Sequence, residues 1–166
     1  MQINQESGRT MMEMIGVIAI IGVLTIGAIS TVNYGLEAFR VSSAHTLVET
    51  TANNVSDLYS WKRSFPTQAQ AQEMRNTICQ NKVFDEECIS EETNKATVAT
   101  AWGYLQVEPD DRSNPEFPGF KITLTNVPYM ACNQLLGMKW TNVILDTSSC
   151  NEDTDDAKTE MVFFGN

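Results

Sequence analysis

The sequence predicts an α+β protein in which one long N-terminal helix, membrane-spanning in its lower half, packs on a small antiparallel sheet. Three observations predict it. An apolar run from Met14 to Ile29 leads into a helical pattern that reaches Trp61, and no proline occurs before Pro66. Phe120, Ile122 and Leu124 alternate with Lys121, Thr123 and Thr125, the period of two of a half-buried strand. Further short strand signals and turn residues surround that segment.

The lower helix comes first. Met14–Ile29 is short for a span, but Met11–Val32 supplies about the 20 residues that a ~30 Å hydrocarbon core requires. A cleaved secretory signal would be shorter and would end in small residues. Here Ser30-Thr31-Val32-Asn33-Tyr34-Gly35 follows Ile29, with no Ala-x-Ala pattern. Gly16, Gly22, Gly27 and Gly35 interrupt this half, each costing up to ~1 kcal/mol of helix propensity relative to alanine. They fit close helix approach in a membrane, or a helix that melts locally on packing.

Above it, Leu36, Phe39, Ser43, Leu47, Thr50, Val55, Leu58 and Trp61 recur at roughly three- and four-residue spacing. Glu37, Arg40, Glu49, Asp57 and Lys62 fall largely between them. The pattern is an amphipathic helix with one stripe to bury, and a single helix from about Thr10 to Arg63 is expected.

A second helix is expected to start near Pro66, where Thr67 and Gln70 stand as a capping box, and to run to about Ile78. Cys79 to Glu92 reads as an acidic loop. Trp102–Val107 is a strand, while Glu108-Pro109-Asp110-Asp111 and Pro115–Gly119 read as turn and loop. After the strand around Ile122, Pro128 marks the entry to a short helix that Gly137 ends. Val143–Leu145 and Met161–Phe164 supply further strands.

The 166 residues suit one anchored domain with a modest core. The net charge is −10, from 11 Lys and Arg against 21 Asp and Glu, which argues against phosphate-neutralising nucleic-acid binding. Cysteines stand at 79, 88, 132 and 150, all beyond the apolar run, and their even number suggests disulfides in an oxidising compartment. Three pairings are possible. Cys79–Cys88 with Cys132–Cys150 encloses the shortest loops. Zinc is the competing reading, against which stand the lack of any Cys-x-x-Cys and of paired histidines.

Enzyme chemistry finds little support. The one histidine, His45, lies on the helix and reads as a solvated residue without an orienting partner. No nucleophile elbow, Walker loop or zincin motif occurs. Trp102, Trp140 and Phe163 read as core rather than as a ligand platform. The tract Glu152-Asp153-Thr154-Asp155-Asp156 could offer calcium oxygen ligands from Asp153, Asp155 and Asp156. It lacks glycine and an EF-hand glutamate, so a solvated acidic loop is the plainer reading, and no cofactor is expected.

The N-terminus carries the most specific pattern, Gly8-Arg9-Thr10-Met11-Met12-Glu13 immediately before the apolar run. A carboxylate at that edge costs roughly 2.5–3.5 kcal/mol on insertion scales, so it points to a pairing. The arrangement resembles the N-terminus of type IV prepilins and type II secretion pseudopilins. The resemblance implies a peptidase cut between Gly8 and Arg9, methylation of the new amine, and Glu13 as the fifth residue of the mature chain. It further implies that Glu13 sets register in a filament by pairing with the amine of Arg9 on a neighbouring copy, the Arg9 guanidinium being a second candidate. Two features depart from the family pattern. The leader carries Glu6 and no Lys or Arg, and Arg9 replaces a hydrophobic first residue.

Ala101-Trp102-Gly103, the stretch Phe120–Pro128, Ala131-Cys132 and Leu135-Leu136 are similar to type IVb pilins, closest to the PilS-like pilins of conjugative thin pili. That resemblance implies the pilin fold and pairs Cys132 with Cys150. It implies a leader at 1–8, a transmembrane and assembly helix at 9–35 and a periplasmic or extracellular head at 36–166. It implies residence in the inner membrane before assembly and in an extracellular pilus afterwards. The partners implied are other copies of the chain, a prepilin peptidase and inner-membrane assembly machinery. A C-terminal calcium loop has an analogue in the major pseudopilins. A minor pilin or pseudopilin is the alternative within this class; a membrane-anchored adhesion or binding domain that does not polymerise is the alternative outside it.

Overall fold

A computed structural model describes residues 6–60, 62, 65–84, 86–89, 94–110, 119–147, 149–150 and 158–165; at 6–10, 30 and 158 it describes the backbone only. The chain divides into two compact units, Met1–Phe39 and Arg40–Asn166. Helix α1 (Glu6–Ser60) runs through both. Among the described residues of the first unit it is the one element.

The second unit is the α+β body. After α1 come a 3-10 turn (Gln68–Gln70), α2 (Ala71–Gln80), β1 (Ala96–Ala99), β2 (Tyr104–Asp110), β3 (Gly119–Pro128), α3 (Tyr129–Leu136), β4 (Ile144–Leu145) and β5 (Lys158–Gly165). The five strands form one antiparallel sheet in the order β1-β2-β3-β5-β4, so the last strand in sequence lies between β3 and β4. Ile122 faces Val107 on one side and Phe163 on the other, which brings the apolar positions of three strands to one face. That face and the upper part of α1 close a single core, with Val48, Val55, Leu105, Phe120, Ile122, Leu124, Leu135 and Phe163 fully buried.

The predicted stripe on α1 is displaced. Val41, Ala44, Val48, Thr51, Ala52 and Tyr59 are buried with the expected Val55, whereas Leu47 and Leu58 are only partly so, Leu36, Phe39, Ser43 and Thr50 are exposed, and Trp61 lies outside the described residues. The buried set keeps helical spacing but uses Ala and Val, whose small side chains let the helix lie close on the sheet. The larger apolar residues that suggested the stripe flank it.

The second helix begins as expected: the Thr67 backbone N–H donates to the Gln70 side-chain oxygen at 3.2 Å, and Met74 and Ile78 reach the core. Its end lies at Gln80 rather than Ile78. β2 continues through Glu108-Pro109-Asp110, which the sequence reads as a turn. Pro109 pairs with Phe120 in register, and its carbonyl accepts from the Gln68 side chain, so tertiary pairing carries the strand past a turn-like composition. β1 has no sequence signal of its own, being Ala-Thr-Val-Ala. Pro128 and Gly137 bound α3 as expected.

Two close approaches fix the sheet. The hairpin from β1 to β2 passes so near β3 that a Cβ on Gly103 would stand 2.7 Å from the Thr125 carbonyl oxygen. Beside it Asn126 adopts φ 60° where the β3–β5 register shifts between Leu124 and Val127, a bulge stabilised in a conformation that Asn tolerates. Across the sheet, Glu108 stands between Lys95, at 3.3 Å, and Lys121. With Glu108 13% exposed, the two lysines balance a carboxylate largely withdrawn from water.

Candidate functional site

Within the first unit, α1 carries the features that the sequence singles out. Its described side chains are nearly all open: Met11, Met12, Met14, Ile15, Ile18, Val23, Leu24 and Ile26 are each more than 60% exposed. The helix is long and apolar enough to cross a membrane. A monomer in water would not leave so much apolar surface uncovered, so the surface calls for lipid or protein around it.

Two hydroxyls on this helix are satisfied locally. Thr25 donates to the Ile21 carbonyl at 2.7 Å and Thr31 to the Gly27 carbonyl at 3.0 Å, so neither hydroxyl is left bare among apolar neighbours. Gly16, Gly22, Gly27 and Gly35 have nothing within 4 Å of a Cβ placed on them. Among the described residues no contact requires those glycines, and α1 is unbroken through all four.

Glu13 is an exposed member of the apolar surface, one helical turn beyond Arg9. Gly8 and Arg9 lie in α1, and their side chains are outside the described residues. Asp153, Asp155 and Asp156 also lie outside the described residues. Among the described residues no group of three or more His, Cys, Asp or Glu is placed to hold a metal ion.

In the second unit both expected disulfides are present, Cys79–Cys88 with Cα atoms 5.7 Å apart and Cys132–Cys150 with Cα atoms 5.9 Å apart. The first closes the loop after α2 that delivers Val83 and Phe84 to the core; the Val83 carbonyl there accepts from Asn54 of α1 at 3.0 Å. The second ties α3 to the segment beyond β4.

His45 departs from the solvated reading. It is half-buried, its Nε2 lies 3.2 Å from the Lys139 carbonyl, and its ring meets Trp140 with centroids 4.4 Å apart. Trp140 in turn meets Phe163 at 4.6 Å and donates its indole N–H to the Leu135 carbonyl at 3.2 Å. The histidine therefore anchors the loop after α3 against α1, a partnership between residues 94 positions apart that local sequence does not display. Of the three aromatic residues expected in the core, Phe163 is fully buried, and Trp102 and Trp140 are partly buried against it.

One feature of the head has no sequence signal. A groove of about 380 Å³ opens between α1 and β1, with Ala44, Leu47, Phe84, Val98, Ala99 and Ala101 forming its apolar walls. Its residues come from segments that are unremarkable singly and meet only in the fold.

No protein-family model, curated protein or solved structure matches this chain.

Proposed function

We propose that the protein is a structural subunit of a type IV, IVb-like pilus, without enzymatic activity, that polymerises through its N-terminal helix after cleavage between Gly8 and Arg9. The observation that carries this reading is the exposed apolar surface of α1 from Met11 onward with Glu13 at its edge. Before assembly the helix is held in the inner membrane with the head in the periplasm. Assembly machinery then moves it into a growing extracellular fibre, where the helices of other copies replace lipid.

Burial is worth about 25 cal/mol per Å² of apolar area, so ~1,000 Å² of helix surface offers tens of kcal/mol in gross terms. That term drives association but does not choose a register. Glu13 chooses it, because a carboxylate enclosed by packed helices needs a cation, and the amine of Arg9 on a neighbour supplies one. The two disulfides suit a head exposed to an oxidising environment.

The test is the mass of the intact protein expressed with and without a prepilin peptidase. A mature chain that begins at Arg9 supports the reading. An uncut Gly8–Arg9 bond supports the anchored, non-polymerising alternative. Abundance in purified fibres separates a major subunit from a minor pilin or pseudopilin.

A further inference from the structure

Phe39 is 70% exposed and Leu36 is 50% exposed, and they stand three residues apart on α1, side by side on its surface. Lipid does not account for Phe39. Phe39 lies seven residues past Val32, the end of the expected span, which is about 10 Å farther along the helix. A ~30 Å hydrocarbon core ends below that point, and Tyr34, 73% exposed, is the residue suited to the headgroup layer. An aromatic so placed calls for a protein partner, and Leu36, three residues earlier, extends the same apolar surface.

The head offers a receptor of the matching kind. The groove between α1 and β1 has apolar walls of Ala44, Leu47, Phe84, Val98, Ala99 and Ala101, with Arg40 and Glu86 also lining it, and its volume of about 380 Å³ falls in the size range of ligand pockets. An added β-strand is a poor occupant, because the Ile89 N–H already donates to the Thr97 carbonyl at 2.8 Å on this edge of the sheet. Side chains entering from outside suit it better. Aromatic anchors seated in apolar pockets are the usual energetic centres of protein interfaces.

Building on the filament reading above, we propose that Phe39, with Leu36 beside it, docks in the α1–β1 groove of a second copy of this chain. The knob and the groove are different surfaces of one molecule. Their contact is therefore heterologous, and repeated from copy to copy it need not close, which is the geometry that builds a fibre rather than a dimer. It also gives the chains a specific contact beyond the apolar run, where apolar burial alone sets no register.

The test replaces Phe39 with photoreactive p-benzoyl-phenylalanine in the full chain, in cells that carry the assembly machinery. Irradiation should give a product of twice the chain mass, with the cross-link mapped to Phe84 or to residues 98–101 of the second copy. Attachment to lipid, to residues 11–36 only, or to no second copy overturns the proposal. Two variants extend it: Phe39→Ala removes the knob, and Ala99→Trp fills the groove at an exposed position. Each should lower fibre yield at least tenfold with the melting temperature of the head unchanged. Normal fibres from both variants overturn the docking contact and leave the filament reading standing. Groove cross-links in cells whose unmutated protein forms no fibre would keep the contact and reject the filament.

Discussion

Glu49 of α1 receives the backbone N–H of Thr141 at 2.7 Å, across 92 residues of sequence, and its second oxygen accepts from the Asn142 side chain at 3.2 Å. One turn earlier on the helix, His45 meets the Lys139 carbonyl. The long helix therefore holds the loop after α3 at two successive turns. Glu49→Ala should leave the Thr141 N–H without its acceptor and destabilise the head by about 1–2 kcal/mol, toward the low end for a charged acceptor because the site is partly open to water. Urea unfolding of the variant beside the unmutated protein measures it; Glu49→Gln should recover only part of the loss.

Cys150→Ser opens an 18-residue loop, worth about 3 kcal/mol of restriction on the unfolded chain in the chain-entropy account. The melting temperature should fall, and the level of the protein in cells should fall with it. Cys79→Ser opens the shorter, nine-residue loop and should cost somewhat less. Non-reducing peptide mapping that joined Cys79 to Cys132 or Cys150 would contradict the pairing.

Gly165 faces the ring of fully buried Phe120 so closely that a Cβ there would collide with it. Phe120 also meets Phe65 with ring centroids 5.4 Å apart, and so cannot swing freely. Gly165→Ala should destabilise the head by about 1–3 kcal/mol through overpacking. Adding Phe120→Leu should recover part of that loss, which a thermal-melt double-mutant cycle would detect.

Tyr59 lies beyond Met11–Val32, the stretch long and apolar enough to cross a membrane, and is 3% exposed. Burial pushes its phenol above the ordinary value of 10.0; a hydrogen bond with Thr77 works against that rise and the nearby Glu73 charge adds to it. The folded state thus keeps the proton just above pH 10, where the unfolded chain has lost it. Stability from this group is fully present below pH 10 and declines as pH rises toward the folded value. Tyr59→Phe should remove that part of the alkaline decline, seen by comparing urea midpoints at about pH 9 and pH 11.

Glu13→Ala separates a filament subunit from a plain anchor. Insertion and processing should persist, since an acid is removed from the edge of an apolar run. Fibre yield relative to the membrane pool should fall at least tenfold, because stranding the partner cation costs about 3–5 kcal/mol. Unchanged fibres would show that the carboxylate does not set register.

The long helix, the short helix after Pro128 and the strand through Ile122 were legible because their signals are local: an apolar run, a proline with a glycine, an alternation. The disulfides were legible because loop closure depends mostly on sequence distance. The sheet-facing side of α1 was misread for a physical reason. Leu47 and Leu58 weigh more in a hydropathy pattern than Ala44 and Ala52, yet a helix lies closest to a sheet on its smallest residues. β1 escaped notice because Ala96 and Val98 are buried by what packs on them, not by any propensity of their own. His45 and Glu49 gained their partners from a loop more than ninety residues away.

The position of β5 sets an order of events. As the chain emerges from its N-terminal end, β1, β2 and β3 can zip together as successive neighbours, but β4 arrives with no strand to pair with. It must wait until β5 slides between it and β3, bringing Met161 and Phe163 into the core at the same moment. Such a late, non-local insertion is slow, and it leaves an open sheet edge exposed in the interval. In a chain held in a membrane by α1, that edge would face other copies confined to the same surface, so the time β5 takes to arrive would set how long half-built sheets can join one another.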